Sequence, residues 1–256
     1  MRADLAHCFP APSRAGAWVA TALVAGIAML TPVPASANPA AAPTEFGPPA
    51  ASTPRIEGVW QAINPPALLK TASGALPQMV PDVLSTYNSN LAARRTGGDV
   101  SFDTTTRCAS PGMPRILTIG RPFEIIQRSD QTIFLFSWNR LYRQIEMTSK
   151  LPTILYPTPM GRSIGHWEGQ VMVVTTTGIG DNTLLDDAIP TSETLEIVER
   201  LSIKDHRLQD SMTFTDPASF RAPWSTVLTF RRVPPPSGED VCLDRIAAGH
   251  PAIARP

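Results

Sequence analysis

ETLEIVERLSIKDHRLQDSMTFT, residues 193–215, decides the fold. It is two alternating runs, ETLEIVERLSI (193–203) and HRLQDSMTFT (206–215), split by Lys204-Asp205. Side chains in a strand point alternately to opposite faces. Leu195, Ile197, Leu201 and Ile203 therefore share one face, and Leu208, Met212 and Phe214 share one in the next run. The short polar break suits an antiparallel hairpin, not a crossover helix. Each apolar row is interrupted by a carboxylate, Glu199 in the first and Asp210 in the second. An acid on a core face either pairs with a cation or is held neutral. Glu199 and Asp210 are thus candidate general acid/base groups. For Glu199 the plainer alternative is a structural ion pair with a neighbouring arginine; for Asp210 it is a face that looks outward near a sheet edge.

The same period recurs on both sides. IEGVWQA (56–62), RILTIG (115–120), FEIIQRS (123–129), TIFLFSW (132–138), LYRQIEMT (141–148), QVMVVTTT (170–177) and STVLTFRR (225–232) read as further strands between turn residues. One helix is predicted, PDVLSTYNSNLAARR (81–95), between Pro81 and Gly97-Gly98, with a helical turn at DPASF (216–220). About nine antiparallel strands in one domain must stack as two sheets or close into a barrel. The expected fold is all-β: a single antiparallel barrel, or a strongly curved sandwich, with one short helix. A barrel removes edges and can hold one small ligand.

The 256 residues carry 22 basic and 22 acidic side chains, so no basic field exists to hold a nucleic acid. The 27 prolines argue against long helices. Residues 1–37 read as a cleaved signal peptide: AGAWVATALVAGIAML (15–30) is the apolar stretch and Ala35-Ser36-Ala37 the cleavage site. No stable membrane span is expected after cleavage, and the location is periplasmic or secreted. Residues 38–54 read as a disordered linker, 55–245 as the barrel domain and 246–256 as a flexible tail. Loss of the signal leaves two cysteines, Cys108 and Cys242. In an oxidising compartment two cysteines usually pair; two buried thiols are the alternative. Neither has metal-type neighbours. No Gly-rich phosphate loop, nucleophile elbow, HExxH or CxxC occurs, so no cofactor and no metal are expected.

Two resemblances add to this. Gly58-Val59-Trp60 in the first strand is similar to the Gly-x-Trp of lipocalins, in which an arginine from a late strand packs over the tryptophan; Arg231 or Arg232 stands where that arginine would be. An ordinary core tryptophan is the alternative. The run RCASPGMPR (107–115) resembles the RC-x-PPGMPR segment of an uncharacterised family of exported bacterial proteins. MGRSIGHWEG (160–169) with the strand after it, DNTLLD (181–186) and Glu199-Arg200 match further motifs of that family. The resemblance spans about residues 55–245 and implies a lipocalin-like exported barrel without a settled activity. Leu184 replaces a family tryptophan, Gln170 an aspartate, and Thr191-Ser192 stands for His-Ser.

Other candidates are ranked by chemistry. His166 and Glu168 point to one side of their strand and Trp167 to the other, with Glu168-Gly169 as a hairpin turn. His166 is the chemical option there; a hydrogen-bonded structural histidine is the alternative. Phe134, Phe136 and Trp138 form an aromatic stripe, with Tyr142 beyond, able to wall a ligand or simply to fill core. Arg115 and Arg143 are able to hold a ligand carboxylate or phosphate. The loop 175–193, with Asp181 and Asp186, is a site candidate, a cation site among its options; a solvated, carboxylate-rich loop is the alternative. The function expected is an exported barrel binding a small hydrophobic or aromatic molecule. The alternative is a cofactor-free acid/base enzyme, a lyase, isomerase or hydrolase, acting on such a molecule.

Overall fold

The computed structural model describes residues 47–151 and 156–253. The signal segment and residues 38–46 of the linker lie outside them. Nine strands close a barrel in chain order: β1 Gly58–Ala62, β2 Phe123–Gln127, β3 Gln131–Phe136, β4 Tyr142–Glu146, β5 Arg162–Glu168, β6 Val171–Thr177, β7 Glu196–Lys204, β8 Arg207–Thr215 and β9 Trp224–Arg232. Closure comes from β1, which pairs with β2 through Gly58↔Ile125 and with β9 through Trp60↔Arg232. Helix α1 spans Pro81–Thr96 and α2 spans Cys242–Ala247. The second helix was not expected.

The deciding hairpin forms as read. Lys204 pairs with Arg207, and Asp205 and His206 both take positive φ, 49° and 60°. Two such residues twist a two-residue turn to match the strands. Gly169 (φ 59°) does likewise between β5 and β6, where Glu168 pairs with Val171. The expected helical turn is present at Asp216, whose carbonyl accepts from the N–H groups of Ser219 and Phe220.

The structure corrects two fold expectations. The barrel is not antiparallel throughout, because β4 and β5 run parallel. Parallel neighbours cannot be joined by a tight hairpin and need a longer connection, here the 15 residues between Glu146 and Arg162. RILTIG is not a strand. Arg115–Thr118 is a short 3-10 helix with Ile116, Leu117 and Ile119 all buried, entered through Pro114 and Gly112 (φ 74°). Every residue from Arg115 to Gly120 is buried, so burial here does not alternate as it would in a half-exposed strand. The linker and tail are also tied down in part. Gln127 Nε2 donates to the Pro54 carbonyl and Ser129 N to that of Gly47. The Trp138 indole donates to the Ala252 carbonyl.

The first strand shows why its glycine is there. The Arg232 guanidinium lies 4.4 Å from the Trp60 ring centroid and donates to the Glu57 carbonyl. Gly58 has φ 123°, and a Cβ on it would collide with Arg232 Nη1. Arg232, of the two late-strand arginines, is therefore the one that covers the tryptophan. Gly58→Ala is expected to lower stability by about 1–3 kcal/mol through backbone strain. An unchanged urea midpoint would contradict that.

Cys108 and Cys242 are joined, with Cα atoms 5.6 Å apart and a sequence separation of 134. The bridge fixes the start of α2 to the turn before the buried 3-10 helix.

Candidate functional site

The β4–β5 seam sets the site. These strands share only the pairs Ile145↔Ser163 and Glu146↔Ile164, whereas β5 and β6 stay paired from Arg162 to Glu168. Where the two strands diverge, a cleft of about 460 Å³ opens. Leu141, Pro159 and Met160 line it together with Ser110, Arg143 and Ser163. Tyr142 stands on its rim, 64% exposed, with Arg140 and Arg162 nearby.

Behind the cleft the interior holds a charged cluster. Alternation puts Arg143 of β4, Glu199 of β7 and Asp210 of β8 on inner faces, each 2% exposed or less. Arg143 Nη1 donates to Glu199 Oε1 at 2.9 Å, and Nη2 donates to Glu199 Oε2. Its Nε donates to Ser163 Oγ (3.0 Å) and Nη2 also to Thr176 Oγ1 (2.7 Å). The guanidinium thus reaches from β4 to β5, β6 and β7. The bidentate geometry is the strong form of such a pair. Glu199 therefore has an arginine from another strand as its partner, the plainer of the two expectations. Arg143, expected to hold a ligand anion, is occupied by this protein's own carboxylate.

Asp210 lies diagonally from Glu199, since Leu201 is its register partner and Glu199 pairs with Met212. Its carboxyl is pushed well above the usual carboxylate range, first by burial and then by the Glu199 charge, against the opposing pull of Arg143. Asp210 Oδ1 has no hydrogen-bond partner. The folded protein therefore keeps Asp210 protonated where the unfolded chain ionises, above roughly pH 4. A raised carboxylate favours folding most below the unfolded pKa and loses that advantage as pH rises toward the folded one. Asp210→Asn removes this dependence. Its stability relative to wild type should rise with pH by about 1.4 kcal/mol per unit within that window. Parallel pH–stability curves would show that Asp210 is ionised in the fold.

The remaining candidates lie elsewhere. His166 is on the outer face, with Nε2 3.2 Å from Glu168 Oε1, and Arg200 donates to Glu168 Oε2 at 2.8 Å. Hydrogen bonds from Arg200 and then His166 hold the Glu168 carboxyl low. As expected, His166 and Glu168 share a side while Trp167 packs on the core. His166 does not join the interior acids, because one residue along a strand reverses the face.

Phe134 and Phe136 are buried among Phe123 and Phe230; Phe123 and Phe134 stack at 5.4 Å. Trp138 leaves this stripe. The chain departs from the strand after Phe136 and turns through Asn139 and Arg140, both at positive φ, so the indole packs beside Arg245. Arg115 belongs to a second buried cluster, donating to Asp103 (2.7 Å) and Asp187 (2.9 Å), with Arg94 also on Asp103. Burial would raise the Asp103 carboxyl, but the hydrogen bond and charge of Arg115 outweigh it and hold it far down.

The loop 175–193 is not solvated throughout. Thr183 to Ile189 are buried, and Asp181 alone of the two proposed acids is exposed. Asp186 accepts from the N–H groups of Leu69, Ala188 and Ile189, so it shapes the loop. Burial nonetheless outweighs these bonds and raises its carboxyl. Among the described residues no group of three His, Cys, Asp or Glu stands close enough to hold a metal ion. Sequence reasoning missed the seam itself and the hydroxyls of Ser163 and Thr176.

No protein-family profile matches the chain, and no curated protein matches it significantly in sequence. Solved structures with a similar chain path include the wild-type fluorescent protein UnaG, at 13% identity and a TM-score of 0.33. The match covers 70% of this chain and 97% of that one. Another is the REP1-NXSQ fatty acid transporter, at 10% identity, a TM-score of 0.34 and the same coverage. Likeness at that level carries no information about ligand or activity here.

Proposed function

We propose that this chain is an exported small-molecule-binding barrel whose ligand, a hydrophobic or aromatic compound, sits in the cleft at the β4–β5 seam. One observation carries it: the pairing of β4 with β5 is short, and the cleft beside it combines apolar and polar lining residues. Leu141, Pro159 and Met160 are its apolar lining; Ser163 and the largely buried Arg143 are among its polar lining. That mixture of apolar lining and a few placed polar groups is what small-molecule sites share. Export rests on the N-terminal signal pattern and the Cys108–Cys242 bridge. The motif resemblance to the exported bacterial family belongs to the same reading. No described helix is long and apolar enough to cross a membrane.

The test uses N-phenyl-1-naphthylamine, an uncharged aromatic probe that brightens in apolar surroundings. Wild type should bind it saturably, one to one. Ser110→Trp, which fills the cleft mouth, should weaken binding at least tenfold. Equal affinity in both proteins, or no saturable binding, overturns the placement.

A second reading draws on the neighbouring carboxyls of Glu199 and Asp210. Two acids beside one arginine are a unit able to hold and release a proton, as a cofactor-free acid/base enzyme requires. Glu199→Gln would then abolish turnover of a bound compound while sparing its affinity.

A further inference from the structure

The cleft and the buried cluster meet at Arg143, which lines the first and anchors the second. Each oxygen of Glu199 accepts from this guanidinium, and Glu199 is in turn hydrogen-bonded to Asp210. The charged groups beside Glu199 are the cation Arg143 of β4 and the acid Asp210 of β8, and the hydroxyls of Ser163 on β5 and Thr176 on β6 accept from the same Arg143. At the cleft mouth the charges are Arg140, Glu146 and Arg162, of which Glu146 and Arg162 pair with each other. With Asp210 neutral, the interior cluster carries one positive and one negative charge.

An anionic ligand that reaches Arg143 from the cleft meets it already neutralised. A second anion beside it would leave one buried charge unbalanced, and such a charge is avoided by neutralisation where a proton is available. The seat for that proton is at hand, because Glu199 adjoins another carboxyl with which to share it.

We propose that the seam cleft takes a small aromatic anion, a carboxylate or sulfonate, by exchange: the ligand replaces Glu199 on Arg143 while Glu199 accepts one proton from solvent. The O–H bond formed on Glu199 is the sole covalent change, and Glu199 then pairs with Asp210 as a neutral acid. The net uptake is one anion and one proton, so the interior charge is unchanged. This deepens the proposed function and rests on the cleft being the binding site. It also gives the rupture of the Arg143–Glu199 pair a consequence at the seam, since the same guanidinium donates across to Ser163 of β5.

The experiment is calorimetric titration of the full chain with 1-anilinonaphthalene-8-sulfonate, in phosphate and in Tris at equal pH. The difference in heat between buffers counts the protons taken up. About one proton per probe is expected, with Kd weakening roughly tenfold per pH unit above neutrality. The uncharged N-phenyl-1-naphthylamine should bind without proton uptake and with flat pH dependence. The R143Q/E199Q variant, neutral for neutral, should lose the proton coupling of the sulfonate probe. Should that variant fail to fold, the two-buffer comparison on wild type still decides. Sulfonate binding with no proton uptake, or uptake that persists in Ser110→Trp, overturns the exchange while leaving the binding cleft standing. Failure of both probes to bind overturns the cleft and the exchange together.

Discussion

Arg143→Met is expected to unfold about 3–5 kcal/mol more easily than wild type in urea at pH 8, because it strands Glu199 as an uncompensated buried carboxylate. Glu199 is fully buried and each of its oxygens accepts from this one guanidinium. Burial without a counter-charge penalises the charged form of a carboxyl and spares its neutral form, so the defect should shrink as the pH is lowered. The double variant R143M/E199M removes both charges and replaces them with apolar bulk, an exchange that is often neutral or stabilising. It should recover most of the loss. A single variant as stable as wild type at pH 8 would mean that Glu199 needs no partner, and the interior pair would lose its role in holding the seam.

The second large effect concerns the disulfide. Replacing Cys108 and Cys242 together by serine is expected to cost about 4–5 kcal/mol, the chain-entropy value for a loop of this length and an upper guide. The structure gives the bridge further reach. Cys242 is buried at the start of α2, and Asn139 Nδ2 donates to the Cys108 carbonyl while its Oδ1 accepts from Cys242 N. Thermal unfolding of wild type with and without reductant should reproduce most of the difference. Coincident melting curves would show that the long loop is held closed by contacts other than the sulfur bridge.

The inner faces of β7 and β8 were legible because alternation is a local rule. Ile197, Glu199 and Leu201 were expected on one side and all three are buried; Leu208, Asp210, Met212 and Phe214 behave alike. Cys108 and Cys242 were legible by counting, and the Gly58-Trp60 pattern pointed to a late arginine. RILTIG was misread because apolar β-branched residues suit both a strand and any fully buried turn. Pro114 and Gly112 fixed the outcome by setting the backbone just ahead of it.

The candidate site was half legible. Arg143, Glu199 and Asp210 were each singled out, but as separate groups with separate tasks. That Arg143 and Glu199 are partners depends on how β4 is brought near β7, across β5 and β6. No local period encodes that distance. Arg115 and Asp186 were chosen for ligand chemistry and instead tie their own chain together, since a buried charge takes whatever counter-charge or N–H group the fold brings nearest.

On its own, the amino-acid order determined which residues turn inward, where the hairpins fall and which two cysteines were left to pair. Each of these follows from near-neighbour geometry: a period of two, a turn residue's φ, a count. Tertiary structure decided the parallel β4–β5 seam, the cleft that opens at it and the partner of every buried charge. Those are set by closure of the sheet on itself, which joins residues 20 to 56 positions apart whose contact energies appear only once the barrel is complete.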